Sequence, residues 1–372
     1  MAANRGASAV ELERLVKDDG RALILFSHGR EERDVRGDSD VLGEGDVRRA
    51  SHVPGVSDKA AGSASEHASI GLRFNELRGE EVDYAIHRQD RTFLPPRDHC
   101  PLDPTLPGRE PTEIPVAAFE IAVFDNRFPA FQAPLGAAEV VVYTDDHEAS
   151  ITTLPLERLE DLMWVWRQRY EELGARGDIH YVYIFENRGV EVGVTLHHAH
   201  GQIYGYPFVP PVPALELAAD ERLGGCAVCM LVGQELADGR RLLFENDAVV
   251  VYVPYAARWA YEAHVVLREH RASLLECEPA ELQGLAAALQ TLTRGYDALF
   301  DKRFPYVMAV HQAPTGGELR RGHLHVEFYP PLRTAEKLKY LAGSEQGAGS
   351  FISDTLPEDS AAALREAIAR AA

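Results

Sequence analysis

The sequence predicts an α+β protein made of two related halves, each an antiparallel sheet carrying one long helix. Two observations point there. Strand, histidine, helix, strand and histidine-rich segment follow one another twice, in the same order, which is the mark of an internal repeat. The register is also kept, because His147 and His198 stand about as far apart as His270 and His323. A single long helical segment per unit, among several strands, favours α+β halves.

Near the N-terminus, Arg21-Ala-Leu-Ile-Leu-Phe-Ser27 reads as one isolated strand, to which the sequence assigns no partner. Residues 30–64 are rich in Gly, Ser, Asp and Arg and poor in large apolar side chains, so a flexible insertion or tail is expected. In the first half, the strand Val140-Val-Val-Tyr143 leads to His147. A helix over 156–173 follows, with Leu156, Leu159, Met163, Trp166, Tyr170 and Leu173 on one face. The strand Tyr181-Val-Tyr-Ile-Phe185 and the segment His197-His-Ala-His-Gly-Gln202 close the unit.

The second half repeats this with the strand Ala263-His-Val-Val-Leu267, then His270, then a helix over 279–300. That helix shows Leu282, Leu285, Leu289, Leu292, Tyr296 and Leu299 at helical spacing. The strand Tyr306-Val-Met-Ala-Val310 and His323-Leu-His-Val-Glu327 complete it. Four prolines between Pro207 and Pro213 mark the link. The expected organisation is an N-terminal segment over 1–69, a first domain over 70–212 and a second over 213–372.

Composition bounds the function. A length of 372 residues suits two domains of ordinary size, and 45% hydrophobic residues is normal for a globular protein. No apolar run approaches the ~20 residues of a membrane span, and the charged first 25 residues do not read as a signal peptide. A cytoplasmic location is expected. The four cysteines fit a reducing compartment, with Cys226 and Cys229 forming a CxxC suited to metal or redox work. A net charge of -20 argues against nucleic-acid and membrane partners. A phosphorylated substrate would then need a locally basic or metal-neutralised pocket.

The strongest chemical signal is His198-Ala-His200-Gly-Gln202. In an extended strand, His198, His200 and Gln202 project to one face. Gly201 is expected to let the backbone approach a ligand. An imidazole whose tautomer is fixed is a competent nucleophile toward phosphorus. The competing reading of the same residues is a His-rich zinc site or a set of surface histidines.

Together with Asn187-Arg-Gly189, Gly193 and Thr195, the run His198-Ala-His-Gly-Gln-Ile203 resembles the signature of galactose-1-phosphate uridylyltransferases, a branch of the histidine-triad superfamily. The resemblance spans about Arg73 to Phe351. Ala199 stands where the family usually has proline, and Thr195 where it has serine. The resemblance implies two histidine-triad-like halves and a ping-pong uridylyl transfer. His200 would take UMP from UDP-glucose and pass it to galactose 1-phosphate, giving UDP-galactose. Gln202 would bind the phosphoryl oxygens and His198 would orient His200. Asn187, Gly193 and Thr195 would contact the nucleotide phosphates.

Arg88 and Arg91 match the family's paired arginines near the uridine and phosphates. Phe124-Asp-Asn126-Arg-Phe128 resembles its uracil and ribose loop, with Arg127 in place of a frequent aspartate. At the sugar end Lys339, Ser344 and Glu345 lie where the family contacts the hexose phosphate from a neighbouring subunit, which implies a homodimer. Competing functions are a related transferase or phosphorylase acting on ADP-glucose or a dinucleoside polyphosphate, a nucleotide-binding regulator without turnover, and a metallohydrolase.

The resemblance also implies one or two zinc ions per subunit. The first would be held by Cys100, Asp103, His147 and His198, with Asp103 replacing a second thiolate. For the second, the favoured set is Cys226, Cys229, His270 and His311. The alternative set for zinc or iron is Glu216, His311, His325 and Glu327, in which Glu327 replaces a histidine.

Overall fold

The architecture is that of a computed structural model, which describes residues 10–28, 47–49, 70–91, 93–315 and 322–372. The stretch expected to be a flexible insertion lies outside these residues apart from 47–49. The strands are β1 (Val10–Lys17), β2 (Ala22–His28), β3 (Val47–Arg49), β4 (Ile70–Asn75), β5 (Glu80–Ala85), β6 (Ile121–Asp125) and β7 (Ala137–Val142). They continue as β8 (Tyr181–Arg188), β9 (His200–Tyr206), β10 (Leu242–Glu245), β11 (Val249–Tyr252), β12 (Ala263–Leu267), β13 (Tyr306–His311) and β14 (His325–Tyr329). The helices are α1 (Leu156–Gly174), α2 (Pro211–Leu223), α3 (Ala227–Asp238), α4 (Pro279–Leu299) and α5 (Pro357–Ala371).

All strands but the β4–β5 hairpin join one antiparallel sheet of 12 strands, ordered β10-β11-β12-β14-β13-β8-β9-β7-β6-β2-β1-β3. The repeat is visible in that order. Outward from the central β8–β13 pair, one side runs β9, β7, β6 and the other β14, β12, β11. The halves thus share a sheet, joined where Tyr306 faces Arg188 and Val310 faces Ile184.

The strand at Ala22–His28 is not isolated. It pairs with β1 (Leu15 with Leu23) and with β6 (Leu23 with Phe124), so the N-terminal segment extends the sheet of the first half. The proline-rich link ends in α2, which begins at Pro211 because the missing N–H costs nothing in a first helical turn.

Helices α1 and α4 pack on each other and on one face of the sheet. Leu159, Leu162, Met163, Trp166, Tyr170 and Leu173 of α1 bury against Val182, Ile184 and Ile203. Leu156, expected on this buried face, is exposed at the first turn. Side chains alternate along a strand. With Ile203 facing the helices, His200, Gln202 and Tyr204 face the other way, and the same rule sends Val326 and Phe328 inward and His325 and Glu327 outward. The functional groups therefore lie on the face opposite α1 and α4. No helix among the described residues is long and apolar enough to cross a membrane.

One ion pair ties the halves together behind that face. The Arg188 guanidinium donates in a fork to both carboxylate oxygens of Asp297 on α4, each at 2.7 Å. Its side chain is 4% exposed. Removing one partner of a buried pair strands the other charge. Arg188→Met is therefore expected to lower the unfolding free energy by about 3 kcal/mol, measured by urea denaturation.

Candidate active site and metal centres

Strand β9 begins at His200 and is paired on both sides, Val142 with His200 and Phe185 with Gln202. This two-sided pairing fixes the backbone that carries the candidate nucleophile. His200 Nδ1 donates to the carbonyl oxygen of His198 at 2.8 Å. A carbonyl only accepts, so the proton sits on Nδ1 and the Nε2 lone pair is left to react. Burial lowers the His200 pKa, which keeps the ring neutral at neutral pH.

His200 lines a cavity of about 110 Å³ with Arg91, Leu102, Glu113, Phe124, Asn126, Arg127, Phe128, Val140, Thr195, Leu196 and Gln202. Tyr204 Oη donates to Gln202 Oε1 at 3.3 Å, which leaves the Gln202 amide N–H groups for a ligand. Arg88 Nη1 donates to Tyr204 Oη at 3.0 Å and to the Phe128 carbonyl at 3.3 Å, so it braces the cavity wall. Asn126 Oδ1 accepts from the Phe128 amide at 2.9 Å and shapes the turn there. Gly193 has a φ of +79°, in the left-handed region that favours glycine, and turns the chain toward Thr195. Asn187 lies on β8 opposite Val307.

The structure corrects the reading of Gly201. A Cβ at Gly201 would point to the helix side and come within 2.3 Å of Tyr143 Oη. The side-chain alternation that turns His200 toward the cavity turns position 201 away from it. The close neighbour that demands glycine is a tyrosine hydroxyl, not a ligand.

Lys339, Ser344 and Glu345 do not line this cavity. They cluster with one another around a turn at Gly343–Ala348. Lys339 Nζ lies 3.8 Å from Glu345 Oε1, and Ser344 Oγ donates to the Ser350 carbonyl at 2.7 Å.

Three groups of side chains place their ligand atoms within 4.8 Å of one another. Cys100, Asp103, His147 and His198 form the first, as expected. Here His198 Nε2 donates to the Thr144 carbonyl at 2.7 Å, so its Nδ1 presents a lone pair. That lone pair faces Asp103 Oδ1 at 3.0 Å, and His147 Nδ1 faces the same oxygen at 2.8 Å. Two imidazole nitrogens and a thiol converging on one carboxylate oxygen suit a cation at their centre, and the donors fit zinc.

The second group is Cys226, Cys229, His270 and His323, and it overturns the expected set that used His311. His323 Nε2 donates to the Leu267 carbonyl at 3.1 Å, and its Nδ1 lies 3.2 Å from Cys229 Sγ. His270 Nδ1 lies 3.4 Å from the same sulfur. This copies the first group element by element, with Leu267 in the role of Thr144. His311 is directed elsewhere because it stands in register with His325 on the neighbouring strand.

The third group is Glu216, His311, His325 and Glu327, which coexists with the second rather than replacing it. His311 Nδ1 lies 2.7 Å from Glu216 Oε1, contributed by α2. His325 occupies the place of His200 in the repeat, and its Nδ1 likewise donates to the carbonyl two residues back, at 2.7 Å. Its Nε2, however, faces Glu327 Oε1 at 3.5 Å. Burial would lower the His325 pKa, but Glu327 and Glu216 outweigh it and push it up to about 9. The second imidazole is thus paired with acid rather than open to a substrate.

A protein with this sheet, a fixed-tautomer imidazole beside Arg91, Thr195 and Gln202, and repeated metal-type quartets has the parts of the nucleotidyl-transferring class. Residues 122–210 match the N-terminal domain model, and 217–371 the C-terminal domain model, of galactose-1-phosphate uridyl transferase. A galactose-1-phosphate uridylyltransferase of Thermotoga maritima is 35% identical, covering 79% of this chain and 98% of the relative. That of Streptomyces lividans is 34% identical, covering 79% and 86%. A solved uridylyltransferase superposes with a TM-score of 0.71 at 30% identity, covering 80% of this chain and 98% of the other. An ADP-glucose phosphorylase of Arabidopsis thaliana shares the fold, with a TM-score of 0.61 at 21% identity and coverage of 80% and 99%. This chain belongs to the galactose-1-phosphate uridylyltransferase family.

Several residues of the site carried no motif. His323 had a signal, the kept spacing between His147–His198 and His270–His323. The carbonyls of Thr144 and Leu267 had none, since any residue supplies one.

Placing a methyl at Gly201 should force Tyr143 and β9 apart. Gly201→Ala is expected to lose about 1–3 kcal/mol of stability. Pairing it with Tyr143→Phe should recover part of that, as read by thermal denaturation.

Proposed function

We propose that this chain transfers UMP from UDP-glucose to galactose 1-phosphate through a uridylyl-histidine on His200. The observation that carries the reading is the hydrogen bond from His200 Nδ1 to the His198 carbonyl, with Gln202 beside it in the cavity. In the first step His200 Nε2 attacks the α-phosphorus, the N–P bond forms and the P–O bond to the β-phosphate breaks, releasing glucose 1-phosphate. A phosphate oxygen of galactose 1-phosphate then displaces the histidine and UDP-galactose leaves. Splitting the transfer avoids holding two anionic sugar phosphates in line at once.

Several neighbouring side chains have a role in this scheme. The Gln202 amide donates to the non-bridging oxygens as charge builds on phosphorus. Arg91 and Thr195 bind phosphate, and Arg88 holds the Tyr204–Gln202 contact. Asn187 and Gly193 carry the phosphate contacts that the family resemblance implies. The relatives named as galactose-1-phosphate uridylyltransferases support the choice of uridine and of galactose 1-phosphate. The ADP-glucose alternative has only a shared fold behind it.

Zinc at the Cys100 quartet would lock His198, and with it the start of β9, without entering the reaction. The Cys226–Cys229–His270–His323 set suits a second structural zinc, and the Glu216–His311–His325–Glu327 set suits zinc or iron. We place the protein in the cytoplasm as a homodimer, with Lys339, Ser344 and Glu345 serving the neighbouring subunit's hexose phosphate. Exposed Tyr340, Phe351 and Ile352 beside them favour a covered surface.

Two outcomes test this. Initial rates with UDP-glucose and galactose 1-phosphate should give parallel double-reciprocal lines, and His200→Gly should cut turnover by roughly 10⁴-fold or more. Intersecting lines, or a retained rate in the variant, would remove the covalent route. Metal analysis should find Cys226→Ser short of about one zinc equivalent per chain relative to the parent protein. An unchanged content would remove that centre.

A further inference from the structure

Glu113 is the one carboxylate among the described residues lining the cavity at His200. An acid in a cavity built for phosphate is repelled by the substrate's charge, so it must face an uncharged part of it. Its two oxygens are used unequally. Oε2 accepts from Lys17 Nζ and, at 2.6 Å, from Arg21 Nη2. Oε1 has Arg127 Nη1 at 3.7 Å, too far for a hydrogen bond. Burial alone would raise the pKa of Glu113, but the hydrogen bond and charge of Lys17, with Arg21 behind it, hold it below the usual carboxylate range.

This carboxylate is also held in place. Its amide donates to the Pro101 carbonyl at 2.9 Å. Lys17 closes β1 and Arg21 lies in the turn to β2, where it also donates to the Asp125 carbonyl at 3.0 Å. The N-terminal hairpin, which precedes the stretch matched by the family model, therefore aims an ionised side chain at the substrate cavity.

Beside Glu113, the cavity lining holds two kinds of side chain. Leu102, Phe124, Phe128, Val140 and Leu196 give apolar walls suited to a base, and Arg91, Thr195, His200 and Gln202 suit phosphate. Between base and phosphate in a nucleotide lies the ribose, whose neutral hydroxyls are donors. We propose that Glu113 Oε1 accepts hydrogen bonds from the ribose hydroxyls of the bound uridine nucleotide, with Lys17 and Arg21 positioning it, so that this chain selects ribonucleotides here. The inference rests on the uridylyl-transfer reading.

The test is the rate of uridylyl-His200 formation, followed by intact mass, with UDP-glucose and its 2′-deoxyribose and 3′-deoxyribose analogues. A hydrogen bond to a charged group corresponds to a preference of roughly 10–100-fold, so the parent protein should favour the ribose substrate by that factor. In Glu113→Gln the preference should fall to within about 3-fold of parity, mainly through loss on the ribose substrate. Glu113→Asp keeps the charge for Lys17 and Arg21 but withdraws the oxygens, and should lose discrimination likewise. It decides the matter should the glutamine variant not fold.

A parent protein indifferent to the deoxy analogues would overturn the inference. So would a preference preserved in both variants, or equal losses on all three substrates together with a fall in thermal stability, which mark a structural ion pair only. Absence of any adduct from UDP-glucose in the parent protein would overturn the proposed function and this inference with it.

Discussion

The hydrogen bond from His200 Nδ1 to the His198 carbonyl decides which ring nitrogen keeps its lone pair, and much of the structure serves to hold it. It spans only two residues, so it exists only if the backbone between them keeps one conformation. The pairing of β9 with β7 and β8 supplies part of that constraint. The anchoring of His198 to the Thr144 carbonyl and to the Cys100 quartet supplies the rest. Behind the strand, Tyr143 fills the space that only a glycine at 201 leaves.

The second half tests which parts of this arrangement are scaffold and which are chemistry. It keeps the sheet order, the long helix, the quartet below the strand and the imidazole donating to the carbonyl two residues back. It differs in what faces Nε2. At His200 that is a cavity with an amide and an arginine; at His325 it is carboxylates, with α2 contributing Glu216. One scaffold therefore presents an imidazole at an open cavity once and an acid-paired one once. The difference lies in Glu327 against Gln202 and in the helix that begins at Pro211.

Much of this was legible in the sequence because it is periodic or local. The repeat marks the two halves, and apolar spacing marks α1 and α4 to within a residue or so. The shared face of His200 and Gln202 follows from strand alternation, whereas His198 lies ahead of β9 and turns to the Cys100 quartet. What was not legible depends on register between distant strands. Nothing in the stretch Arg21–Ser27 names β6 as its partner, which lies about a hundred residues on. The assignment of His311 to the cysteines failed for the same reason, since only the β13–β14 register sets it against His325. Glu113 shows a third limit. Its meaning comes from Lys17, Arg21 and Arg127, three cations scattered along the chain, and a lone glutamate in a loop carries no signal of that.

Intact mass of the protein after mixing with UDP-glucose alone, quenched under mildly alkaline conditions that spare a phosphoramidate, separates transfer through His200 from direct transfer between substrates. A gain of one uridylyl group is expected, located at His200 and lost on adding galactose 1-phosphate. An unmodified chain that nonetheless turns over both substrates, or an adduct located away from His200, would contradict it.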